Sequence, residues 1–368
     1  MIAKKILFIA PGYGNGGIRS WTKKMLNSFS NEEYQLLHIG VAYRRAMRGD
    51  CGIVRRVVDG LLDLLDRIKA VKTTLEQSND IAIMHITTSG SLGTLSDYVL
   101  GKLCRRNGIK TIMHCHYGCI PEDYGQKGPL GVLLRKTMRM YDQIWVLDSR
   151  SYRTLNGDSK LKGKVYLTPN SIEVRPELEI KQKKYDKIGF VGNLIPTKGI
   201  YELVEAVKQC SENTILTIVG PGDETVVNHI KYLAGELIDK RIKLIGPLPN
   251  EQAVEMIKSM DIIALPTYYP SEAFPISILE AMSCGKMVIS TPRAAIKDML
   301  TAIDGAECGC LVQERSVEAI VKAIKWCQTN PCMADDRCKK AYYKVFECYR
   351  TDVIYDLYRS QYRKALLD

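Results

Sequence analysis

DIIALPTYYPSEAFPISILEAMSCGKMVISTP, residues 261–292, packs a strand, a loop, a helix and a second strand into one short segment. The apolar run IIALPT reads as a buried strand ending near Pro266, and MVIST (287–291) as the next one. Between them a loop carries Glu272, and Pro275 stands at the start of a helix, where its missing N–H costs nothing. Ile278, Leu279 and Met282 share the core face of that helix, and Gly285 ends it. Glu280 lies in the first two turns, eight residues after Glu272. Two carboxylates are therefore held at one strand end, beside the free N–H groups of a helix N-terminus. Carboxylates accept hydrogen bonds from hydroxyls, and a helix start attracts phosphate, so the pattern suits a ligand carrying both.

Outward from this segment the same build repeats. Short apolar runs alternate with longer amphipathic stretches, the mark of parallel βαβ units. The first half has ILFIA (6–10), QLLHIGV (35–41), IAIMHIT (81–87), KTIMHCH (110–116), QIWVL (143–147) and VYLTP (165–169). The second half starts again with KIGFVG (187–192), ILTIVG (215–220), IKLIGP (242–247), IIALPT and MVIST. The pattern predicts an α/β protein of two doubly wound, Rossmann-like domains, residues 1–175 and 176–345, with a C-terminal helix over 346–368 packing back toward the first domain. The polar, charged stretch 173–187 makes the linker. Ligands of such sheets bind beyond the carboxyl ends of the strands, so the active site is expected in a cleft where the two halves face each other. Residues 45–77 read as mainly helical, with Val54, Val57, Val58, Leu61, Leu62, Leu65 and Ile68 on one face.

Gly12, Gly14 and Gly17 are spaced G-x-G-x-x-G directly after the first strand. A dinucleotide site needs an acidic residue at the end of the second strand to hold the ribose. That strand leads instead into Arg44, Arg45 and Arg48, which argues for another phosphate-bearing ligand or a plain turn.

The chain has 368 residues, 46% of them hydrophobic, enough for two cores and too many for a disordered chain. No apolar run approaches a membrane span, and the short apolar run before Pro11 reads as a strand, so a cytoplasmic protein is expected. Its 12 cysteines are scattered singly, without the spacing of a metal or redox site. Net charge is +11, and residues 1–175 carry 27 Lys+Arg against 15 Asp+Glu, so the whole excess lies in the first half. That asymmetry suits an anionic partner. No nucleic-acid motif accompanies it, which turns the reading toward an acidic membrane surface. The helix-like segment 128–143, with Arg135, Lys136 and Arg139 beside Leu133, Leu134 and Met138, could lie on such a surface as a peripheral contact. A solvated basic face explains it equally well.

The E-x7-E of Glu272 and Glu280 resembles the signature of retaining glycosyltransferases of family 4, which have the GT-B fold. GNGGIR (14–19), MHCHYG (113–118), LTPNSIE (167–173), FVGNLIPTKG (190–199), LTIVGPGDE (216–224) and IKLIGPLP (242–249) also resemble family segments, in the family's order. The resemblance implies transfer of a sugar from a nucleoside diphosphate sugar to a saccharide acceptor, lipid-linked or not, with retention of configuration. It places Glu280 on the ribose of the nucleotide and Glu272 beside the donor sugar. Ala273, Phe274, Pro275 and Ile276 would offer backbone groups to the sugar and phosphate. Gly16 and Gly17 match the glycine pair that approaches the diphosphate, Lys198 the lysine that neutralises it, and His116 the histidine near the anomeric centre. Asn193 stands where the family commonly has arginine, so one positive charge is missing. No cofactor is implied, and without an Asp-x-Asp triplet no metal site. The rival classes are a nucleotide-sugar epimerase of similar build, a nicotinamide-dependent oxidoreductase, and a non-catalytic nucleotide-sugar-binding partner.

Overall fold

The structure, a computed structural model, describes residues 3–12, 17–40, 44, 52–78, 80–90, 93–174 and 184–367. The chain divides into two units, Met1–Pro169 with Tyr355–Asp368, and Asn170–Ile354. The division thus falls at 169 and 354 rather than at the expected 175 and 345, and most of the expected linker lies outside the described residues.

The first unit is built on strands β1 (Lys4–Ala10), β2 (Tyr34–Gly40), β3 (Ile81–Thr88), β4 (Lys110–Cys115), β5 (Gln143–Val146) and β6 (Val165–Leu167). All are parallel, in the order β2-β1-β3-β4-β5-β6. Its helices are α1 (Gly17–Ser28), α2 (Ile53–Gln77), α3 (Gly93–Arg106), α4 (Ile120–Gly125), α5 (Pro129–Met140) and α6 (Ser149–Asn156). Because side chains alternate along a strand, Leu7, Met84, Met113 and Ile144 face one way, onto Leu64 of α2, Leu100 of α3 and Met138 of α5. Their neighbours Phe8, His85, His114 and Trp145 face the other way into an aromatic layer with Trp21 of α1.

The second unit repeats the plan. Strands β7 (Lys187–Val191), β8 (Ile215–Val219), β9 (Ile242–Gly246), β10 (Ile262–Leu265), β11 (Met287–Ser290) and β12 (Cys310–Leu311) form a parallel sheet in the order β12-β11-β10-β7-β8-β9. Helices α7 (Ile200–Lys208), α8 (Glu224–Ala234), α9 (Asn250–Ser259), α10 (Ile276–Ser283), α11 (Ile296–Met299), α12 (Val317–Thr329) and α13 (Pro331–Cys348) cover it. The last helix, α14 (Thr351–Leu367), carries Tyr358 and Tyr362 into the aromatic layer of the first unit, with ring centroids 4.9 and 5.3 Å from Trp145. Both tyrosines are fully buried, so the spacing of this helix's aromatics is that of a packing face.

The apolar face assigned to α2 does not pack inward: Val54, Val57, Val58, Leu61, Leu62 and Leu65 are 42–79% exposed, whereas Asp59 and Asp63 on the opposite side are buried. The buried side is anchored by charge. Arg44 reaches Asp63 at 2.7 Å and Asp66 at 2.5 Å, and Leu64 and Val71 supply the apolar contacts.

Candidate donor-binding site

In the second unit, β7 and β10 are neighbours, so the loops at their carboxyl ends meet. The loop after β7 turns through a short 3-10 segment, Pro196–Lys198, into Gly199. Gly199 has φ +77°, and a Cβ there would stand 2.2 Å from the carbonyl oxygen of Pro266, so only glycine lets the two loops approach. Tyr268 N–H closes the join on the Thr197 carbonyl at 2.8 Å. This contact sets Lys198 Nζ 3.2 Å from Glu272 Oε2, with Thr267 Oγ1 3.4 Å from the same oxygen. Glu272 is buried and Lys198 mostly so. The two residues form an ion pair at the carboxyl ends of neighbouring strands.

Downstream of Glu272 the backbone is pinned from both sides. The Ala273 carbonyl accepts from Ala295 N–H at 3.1 Å, and the Phe274 carbonyl accepts from Asn170 Nδ2 at 3.3 Å. Pro275 caps α10 and Ile276 is its first residue. The Pro275 carbonyl takes the Ile278 and Leu279 N–H groups, which leaves those of Ile276 and Ser277 at the helix start without an intrahelical acceptor. Glu280, on the second turn, is 6% exposed and accepts from Asn250 Nδ2 at 2.8 Å. Asn193 sits in the turn after β7, where its own carbonyl accepts from Ile195 N–H. Gly220, with φ +144°, is another close approach: a Cβ there would lie 1.9 Å from the Gly192 carbonyl oxygen, so this glycine keeps the β7 and β8 loops together.

The candidate residues of the first unit stand apart from these in sequence and are described within their own unit. Gly17 opens α1, whereas Gly16 lies outside the described residues. His116 follows β4, and its N–H donates to the Thr88 carbonyl at 2.8 Å. Its ring lies 4.1 Å from that of His114 and 4.5 Å from that of Trp21, centroid to centroid. Burial pushes the imidazole down to about 3, so His116 is neutral at working pH and its Nε2 has no partner in the unit. His85 and His114 are structural: His85 bridges Tyr362 Oη at 2.5 Å and His114 Nδ1 at 3.2 Å. His38 bonds the Ala10 carbonyl at 3.0 Å.

Residues 172–345 match the family model of glycosyl transferases group 1. Over this stretch, just under half of its length, the chain is similar to the group 1 glycosyl transferases. Among curated relatives, it is 30% identical over 158 residues to the uncharacterized glycosyltransferase MJ1069 of Methanocaldococcus jannaschii, covering 42% of this chain and 39% of that one. The matched part thus spans about two-fifths of that relative. Two solved structures match almost end to end. Sucrose-phosphate synthase of Thermosynechococcus elongatus has a TM-score of 0.77 at 15% identity, over 98% of each chain. Alr3699/HepE of Anabaena, in complex with UDP-glucose, has a TM-score of 0.71 at 15% identity, over 98% of this chain and 100% of that one. The two parallel six-stranded sheets are those of the GT-B fold.

Sequence reasoning missed several parts of this candidate site. Asn250, Thr267 and Asn170 hold Glu280, Glu272 and the Phe274 carbonyl, yet none lies at a spacing that announces it. The basic helix over 128–143 packs one side on the core. Arg135 donates to the Gln126 carbonyl at 2.7 Å, Arg139 pairs with Asp158 at 2.8 Å, and Leu134 and Met138 are buried in the core. Arg135 and Arg139 thus bind to the fold, while Lys136 of the same helix is exposed. Among the described residues no helix is long and apolar enough to cross a membrane.

Proposed function

We propose that the chain transfers a sugar from a nucleoside diphosphate sugar to an acceptor hydroxyl, with retention of anomeric configuration. The observation that carries this reading is the Lys198–Glu272 pair at 3.2 Å, at the carboxyl ends of neighbouring strands and beside the start of α10. In this reading Glu280 accepts from the ribose hydroxyls, held in place by Asn250. The diphosphate lies against the α10 amides and Lys198, and Glu272 accepts from the donor sugar. The bond between the anomeric carbon and the phosphate oxygen breaks as the acceptor oxygen bonds to that carbon. Lys198 and the helix dipole meet the charge gathering on the leaving diphosphate, an electrostatic task for prearranged groups. The acceptor's proton passes to the departing phosphate oxygen, so no side chain is needed as nucleophile. His116, as a neutral imidazole, can accept a hydrogen bond from a sugar hydroxyl but carries no charge into the reaction.

In this reading Lys198 and the α10 amides supply the positive potential that meets the diphosphate's charge, without a bound metal. A uridine diphosphate sugar is the first donor to test, because the similar HepE structure holds UDP-glucose. The acceptor is a saccharide, in this reading lipid-linked, because the basic excess of residues 1–175 suits an anionic surface. The test is incubation with UDP-glucose and other nucleotide sugars, with and without saccharide acceptors, and proton NMR of the product. An α-linked donor should give an α-linked product. Epimerised donor without acceptor would favour the epimerase, and inverted product would remove retention.

A further inference from the structure

The inverted helix α2 points to a lipid surface. An ordinary surface helix buries its apolar stripe and exposes its charges. Here six apolar side chains in the first half of α2 face outward, and the carboxylates of Asp59 and Asp63 face in. The exposure continues along one edge. Helices α2, α3 and α5 cover the same face of the first sheet, α2 packing on α3 and α3 on α5. Each runs antiparallel to the strands, so their first turns gather where the strands end. Leu95 in the first turn of α3, and Leu130 and Val132 in that of α5, are exposed there as well.

Around this apolar rim the free charge is positive. Arg55, Lys69 and Lys72 on α2 and Lys127 before α5 are exposed, while Asp66 is engaged by Arg44; Glu76 lies at the far end of α2. A second copy of the chain would set these cations against one another, whereas an anionic bilayer accepts them and takes up the apolar face. We infer that the outward face of α2 is the membrane-docking surface of this protein, its valines and leucines entering the boundary between headgroups and acyl chains, with Arg55, Lys69 and Lys72 on the lipid phosphates. The face stands at the strand-end edge of the unit, so the inference deepens the reading that the acceptor is lipid-linked, and vesicle binding tests it independently of transfer.

The experiment is co-sedimentation of the full chain with phosphatidylcholine vesicles, with and without phosphatidylglycerol. The wild type should bind the anionic vesicles, more tightly at low salt. The exposed pair Leu61→Gln/Leu65→Gln should weaken binding about tenfold, and Arg55→Gln/Lys69→Gln should remove the preference for phosphatidylglycerol. Thermal melting and UDP binding of both variants should match wild type, since neither pair touches the core or the donor site. Wild-type affinity in the leucine variant would overturn the inference, as would wild-type protein that ignores anionic vesicles at low salt. A dimer in sedimentation velocity that the leucine variant splits would give the face to a second copy. Failure to bind UDP would count against the donor reading alone.

Discussion

Acidification should unfold the first unit through its buried histidines. His85 and His116 are both held down at about 3, and His114 well below its usual value, in each case chiefly by burial. The folded chain therefore keeps all three neutral at pH 5, while the unfolded chain protonates each one below about pH 6.5. Asp97 works in the opposite direction. Burial raises its carboxyl to about 7, so the folded state holds a proton that the unfolded state releases. At pH 5 the unfolded chain thus carries three histidine protons against one aspartic proton in the folded chain. With two more protons on the unfolded side, stability falls with pH, by about 3 kcal/mol between pH 7 and pH 5. The histidine contribution is complete above pH 6.5 and is lost as the pH drops toward 3. Urea unfolding followed by tryptophan fluorescence reads this directly, because Trp21 and Trp145 pack on these histidines. A urea midpoint that is unchanged or higher at pH 5 would refute the assignment of three neutral histidines.

Lys198→Ala should slow transfer more than Asn193→Ala, since only the lysine brings charge to the leaving group; steady-state rates in the reverse order would show the phosphate site misplaced. Gly199→Ala forces a left-handed residue into contact with the Pro266 carbonyl, and should cost roughly 1–3 kcal/mol from the backbone alone as well as activity, checked by urea titration and rate. Turnover should survive excess EDTA, and loss restored by magnesium or manganese would put a metal on the diphosphate.

Much of the fold is legible because parallel strands announce themselves as short apolar runs and the connections between them as amphipathic stretches. The segment 261–292 shows this best: its loop, Pro275, α10 and both glutamates stand where periodicity and capping put them. What the sequence hides is adjacency. Lys198 meets Glu272 only because β7 lies beside β10, a strand order that no local pattern states. Asn250 supports Glu280 from 30 positions away because α9 packs beside α10. For α2, the stripe of valines and leucines is plain in the sequence, but amphipathicity tells which side is apolar and not which side meets the protein. The buried aspartates and Arg44 decided that in favour of the polar side.

The central claim is that the second unit holds a nucleoside diphosphate sugar with Glu280 on the ribose and Glu272 on the sugar. Calorimetric titration of the full chain with UDP and then UDP-glucose, repeated for Glu280→Gln and Glu272→Gln, tests it most directly. The account predicts saturable one-site binding, weakened for both ligands by Glu280→Gln, about tenfold for a lost charged hydrogen bond. Glu272→Gln should leave UDP affinity nearly unchanged and weaken only the sugar-bearing ligand. Equal, wild-type affinities in both variants, or no binding of any nucleoside diphosphate to the wild type, would contradict it.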